Sequence, residues 1–152
     1  MLTDREVVAR QIGREPRAFR RVDVRCPFGR PAVTEQSPYD SAGDPFPTMF
    51  WLTCPSLVAA VSRLEAADGV DRWTKAANED RALEESLRSA NDEQRRLRPE
   101  IDAGIGGGTR AGSLKCLHAH VAFALARPGY ELGERMLAEL DPLWPDRCCS
   151  EE

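Results

Sequence analysis

Five cysteines and two histidines are the residues of this 152-residue chain best suited to chemistry. Both histidines and one cysteine fall in Lys115-Cys116-Leu117-His118-Ala119-His120, inside a stretch apolar enough to form a helix. Cys116 and His120 are four residues apart, so on a helix they project from one face, and His118 points away from that pair. Cys26 and Cys54 each end a β-favouring run and directly precede a proline, which fixes the backbone after the thiol and removes an amide donor. Thiolate and imidazole are the preferred donors of tetrahedral zinc. The expected centre is therefore Cys26, Cys54, Cys116 and His120 around zinc, with His118 as substitute ligand or supporting group. An iron–sulfur cluster on the three cysteines and a histidine is the lower-ranked alternative, since cysteine followed by proline also occurs in ferredoxin motifs. No C-x-x-C pair is present, so these ligands have to converge from distant parts of the chain. The competing reading makes the cysteines small core residues and the histidines satisfied polar groups.

A separate chemistry attaches to Cys54. Placed at the N-terminus of a helix, its thiolate is favoured by the helix dipole, and a neighbouring histidine such as His118 makes a nucleophile and base pair. Cys54 and His118 are thus the candidate catalytic residues if the protein is an enzyme, either a metal-assisted hydrolase or a thiol enzyme acting on a phosphate- or acyl-containing molecule.

The segment from Gly104 to Gly112 holds five glycines in nine residues. Its amides, with Lys115 in the first turn of the next helix, suit a phosphate or carboxylate. The expected anion-binding residues are Gly106, Gly107, Gly108 and Lys115, with Arg30 and Arg110 assisting. The G-x-x-x-x-G-K-[ST] order is absent, and no strand precedes the glycines as a dinucleotide fingerprint requires. A plain flexible connector is the alternative.

The elements that must position these residues follow from periodicity and punctuation. Thr3 and Glu6 have capping-box spacing, predicting a helix over 4–12 that ends at Gly13. Arg21 to Arg25 alternates as a half-buried strand, and Ala32-Val33-Thr34 is its return. Residues 35–47 contain three prolines and are expected to form a loop, long enough for mobility or a lid. Residues 48–53 form a strand leading through Cys54 and Pro55 into a helix striped by Leu57, Val58, Val61 and Leu64. A short helix over 70–78 is anchored by Trp73. Residues 79–98 form a long charged helix with a seam of Leu83, Leu87, Ala90, Gln94 and Leu97, which either lies on the domain or serves an oligomer. Apolar helices follow over 113–126 and 129–140. The fold class is α+β: a small sheet from about 21–34 and 48–53 against five or six helices. A single domain spans 4–140, and 141–152 is a partly disordered tail.

Apolar content of 41% and charged content of 30% suit a globular protein. No apolar run reaches the roughly 18 residues that cross a bilayer, and no signal-peptide centre is present. A cytoplasmic location with reduced thiols is expected. Residues 1–30 carry eight arginines against four acids within a net charge of -4, but aromatic and basic residues do not interleave, so nucleic-acid binding is not expected. A small anionic ligand is the expected partner.

The chain resembles a bacterial family of unknown function, domain family five hundred and one. The resemblance lies in Cys26-Pro27-Phe28-Gly29-Arg30-Pro31, in Pro47 to Pro55, and in Gly104–Gly108 followed by Lys115-Cys116-Leu117-His118-Ala119-His120. It implies a cytosolic bacterial protein encoded near genes for enolase, a septum-formation initiator and an exopolyphosphatase. It supplies neither an activity nor catalytic residues.

Overall fold

The first helix, α1 (Asp4–Ile12), opens with both halves of the capping box: Thr3 Oγ1 accepts from the Glu6 amide, and the Glu6 carboxylate accepts from the Thr3 amide at 2.9 Å. The computed structural model describes residues 1–107 and 114–149, so Gly108 and Arg110 lie outside the described residues. Strands β1 (Phe19–Arg25) and β2 (Pro31–Gln36) form an antiparallel hairpin, and β3 (Phe50–Leu52) pairs antiparallel with β2 in the order β1-β2-β3. Five further helices complete an α+β fold: α2 (Pro55–Ala66), α3 (Gly69–Glu79), α4 (Arg81–Leu97), α5 (Leu117–Ala126) and α6 (Glu131–Ala138). A 3₁₀ turn occupies Ile105–Gly107.

β2 runs two residues beyond the expected strand because its neighbours on both sides supply ladder partners. The polar residues this buries are accommodated locally. Glu35 takes Arg21 at 3.1 Å, and Gln36 Nε2 donates to the Thr34 carbonyl at 2.9 Å.

The following loop, read as mobile or lid-like, is fastened at several points. Asp40 pairs with Arg17 at 2.6 Å and accepts from the amides of Ala42 and Asp44. Phe46 is buried under the Arg17 guanidinium, and buried Arg98 donates to the carbonyls of Gln36 and Phe46. Burial of an arginine without a paired carboxylate is tolerated where backbone carbonyls take its donors.

The seam of α4 lies on the domain as far as Gln94, and Leu97, its last expected member, is exposed. Leu83, Leu87, Ala90 and Gln94 are buried, and Gln94 donates to the carbonyls of Ala103 and Gly104. Helix α5 is largely apolar and is the most buried of the helices, packed on β3 and against α2 and α6. Gly133 permits the close approach of α6: a Cβ there would stand 2.7 Å from both Ala124 Cβ and the Tyr130 ring. One core joins sheet and helices, and the described part of the tail joins it, with Cys148 buried and Leu143, Trp144 and Cys149 packed alongside.

Candidate metal centre

The expected helix over 113–126 begins later, and that displacement reorganises the site. Lys115 has φ +64, and the Cys116 amide bonds the Leu114 carbonyl at 2.7 Å, so the chain makes a γ-turn about Lys115. Cys116 is extended (φ -146, ψ 147) and serves as N-cap, and α5 starts at Leu117. The i, i+4 relation between Cys116 and His120 therefore lapses, because it requires both residues to be helical. Cys116 and His118, two residues apart across the helix start, come together instead.

The third member comes from α2. Glu65 Oε1 lies 3.3 Å from His118 Nδ1, and Glu65 Oε2 accepts from the Leu117 amide at 2.8 Å. The second contact holds the carboxylate at the positive end of α5. One donor atom from each of Glu65, Cys116 and His118 lies within 4.8 Å of the others, and all three side chains are half-buried. A tetrahedral ion with bonds of about 2.0–2.3 Å holds its ligand atoms roughly 3.3–3.8 Å apart. The carboxylate and imidazole already have that separation.

The hydrogen bonds of His118 define what is missing between these groups. Nε2 faces the Val58 carbonyl at 3.3 Å and Ser62 Oγ at 3.1 Å. The Val58 carbonyl and the Glu65 carboxylate both only accept, so each ring nitrogen faces an acceptor, and a neutral ring has one hydrogen to give. With that hydrogen on Nε2, Nδ1 presents a lone pair to the Glu65 carboxylate oxygen, an arrangement that calls for a proton or a cation between them. In agreement, the His118 pKa lies above the ordinary histidine value: the Cys116 side chain and then the Glu65 charge raise it against the effect of burial.

His120 is differently placed. It is fully buried, with Nε2 donating to the Leu114 carbonyl at 3.0 Å and Nδ1 accepting from the Tyr130 hydroxyl at 2.7 Å. Both ring nitrogens are in use, and neither is directed to a thiol. Burial lowers its pKa to about 4. The Leu114 carbonyl thus accepts from both His120 and the Cys116 amide, so the buried histidine anchors the turn that places Cys116.

More than half of the chain, residues 22–103, matches the family model described as Protein of unknown function (DUF501). The chain belongs to the DUF501 family. No curated protein and no solved structure matches it. In this DUF501 protein the matched span contains Glu65, Cys26 and Cys54 and stops before Cys116 and His118.

The other expected residues are spread over the DUF501 fold. Among the described residues, the one cluster of three or more potential ligands is Glu65, Cys116 and His118; Cys26 and Cys54 do not join it. Cys26 is buried where β1 turns towards β2, and Arg30 is exposed in that same turn. Cys54 is the N-cap of α2, as expected, but its thiol is buried and that burial pushes its pKa up. The Leu57 and Ser56 amides act in the opposite direction and Cys149 adds to the rise, so the expected thiolate is disfavoured. In the glycine segment, the Gly107 amide bonds Gly104 and the Ile105 amide bonds Asn91 Oδ1, which occupies donors an anion would need. Lys115 precedes α5 instead of lying in its first turn.

Glu65 was hidden behind the apolar stripe of α2. Val58, Ser62 and Glu65 are spaced i, i+4, i+7, on one helix face, and all three touch His118. The polar pair Ser62 and Glu65, three residues apart beside the apolar stripe, is the sequence signal for it.

The described residues include no helix long and apolar enough to cross a membrane.

Proposed function

We propose that this DUF501 protein binds a zinc-class divalent cation through Glu65, Cys116 and His118. The carrying observation is that a carboxylate oxygen, a thiol and a ring nitrogen of His118 converge within 4.8 Å. One sulfur, one nitrogen and one oxygen donor suit zinc better than the hard cations, which prefer all-oxygen shells. A single cysteine in the group does not suit an iron–sulfur cluster. Three protein ligands leave one tetrahedral position for water or a ligand.

The chain supports each ligand separately. The Leu117 amide holds Glu65, Val58 and Ser62 orient the His118 ring, and the γ-turn at Lys115 presents Cys116. Supporting contacts of this kind set tautomer and orientation in metal sites.

Metal content measured after anaerobic purification without a histidine tag tests the proposal, together with titration of the apo-protein with cobalt. One ion per chain is expected, with a thiolate-to-cobalt charge-transfer band that disappears in Cys116→Ser. Affinity should fall at least tenfold in Glu65→Gln and His118→Gln. Unchanged binding in Cys26→Ser and Cys54→Ser would separate this site from the four-ligand alternative. A folded protein that takes up no cobalt would reduce the cluster to a His118–Glu65 ion pair.

An enzymatic role is the second reading, favoured by the cleft that borders Cys116 and His118. A zinc ion with an open position supplies activated water. Zinc-dependent turnover of a small ester, lost in Glu65→Gln, would establish it.

A further inference from the structure

Beside the three donors lies a cleft of about 210 Å³, lined by Phe50, Leu52, Val58 and Ala119 with Cys116 and His118 among its walls. Its position follows from the fold. β3 supplies one wall, α2 another, and the start of α5 supplies Cys116, His118 and Ala119. The cleft is predominantly apolar, and Thr48 and Trp51 complete its lining. A cavity of about 150 Å³ lined by apolar side chains takes up benzene. The present cleft has room for such a ring and a few further atoms.

We propose that the site takes a small acyl or aryl carbonyl compound, its apolar body in the cleft and one carbonyl or carboxylate oxygen in the open position of the metal. This rests on the metal reading above and adds the chemical class of the ligand. The geometry carries the choice, because the apolar walls and the donor cluster share Cys116 and His118. A molecule anchored on the ion enters the cleft directly, and a strongly charged body such as a sugar phosphate would be stripped of water against Phe50 and Leu52 with nothing to receive it. The anionic ligand that suits this site is therefore one whose charge is confined to the end that meets the metal.

Benzoate and acetate, titrated into the cobalt-loaded protein and followed by the cobalt absorption spectrum, test this. Both present the same carboxylate, so their difference reports the cleft. A tenfold gain requires about 55 Å² of apolar surface removed from water, less than a buried ring loses, so benzoate is expected to bind at least tenfold more tightly. Thr48→Phe, which narrows the cleft from the segment before β3, should keep cobalt and bring the two carboxylates to within about twofold. Ala119→Leu is the second variant, with the same expected result. Equal affinity of benzoate and acetate for the wild-type cobalt protein would overturn the cleft proposal and leave the metal site standing. Failure to take up cobalt would overturn both.

Discussion

Buried His120 makes the folded protein sensitive to acid in a way that can be calculated. Its ring is fully enclosed, with Tyr130 the titratable group facing it and the Leu114 carbonyl on the other nitrogen. Burial lowers its pKa from 6.5 to about 4. A depressed folded-state value means that the contribution to stability is complete above the unfolded value and is lost as pH falls towards the folded one. The separation between 6.5 and about 4 corresponds to ~3 kcal/mol, most of which disappears between pH 7 and pH 4. That is a large share of the 5–15 kcal/mol typical of a domain. His118 acts in a different window. Its raised value contributes stability below about 6.5 that is lost as pH rises, so the two histidines separate on the pH axis. Urea unfolding at pH 7, 6, 5 and 4 should be compared between wild type and His120→Gln. Whatever the variant loses at pH 7, its stability should fall by ~3 kcal/mol less than wild type by pH 4, because the carboxylates titrate in both. Parallel profiles, within about 1 kcal/mol across the range, would show that the ring is not held neutral by its surroundings.

Other consequences concern single positions. Thr53 Oγ1 is buried and has no hydrogen-bond partner among the described residues, so Thr53→Val should raise the unfolding free energy by about 0.5–1 kcal/mol and the melting temperature by a few degrees. Lys115→Gly removes the cost of a positive φ in a side-chain-bearing residue and should leave stability level or up to ~1 kcal/mol higher by thermal melt, while loosening the turn before Cys116 and weakening cobalt binding. Gly133→Val forces a side chain against Ala124 and the Tyr130 ring, and a loss of about 1–3 kcal/mol is expected in denaturant unfolding. Tyr130→Phe leaves His120 Nδ1 buried without its donor and should cost about 1–3 kcal/mol at pH 7 by the same assay.

Local signals in the chain were sufficient for most of the elements. The capping box of α1, the strand-to-helix passage at Cys54-Pro55 and the apolar character of α5 are written in neighbouring residues, and the structure has each of them. Boundaries set by neighbours in space were not legible in the same way. β2 is longer than its own residues suggest because β1 and β3 flank it on both sides. The loop after it is held by Arg98, some fifty residues further on.

The candidate centre divides along the same line. That Cys116 and both histidines lie within one short stretch was determined by the sequence alone. Which histidine, and which partner, was decided by tertiary structure. One residue at positive φ delays α5 until Leu117, so Cys116 turns to His118 and leaves His120 to Tyr130 and the core. Glu65 arrives from α2 only when that helix packs beside α5. Spacing along a helix determines which side chains share a face; it carries no information about the residue at which a distant turn lets that helix begin.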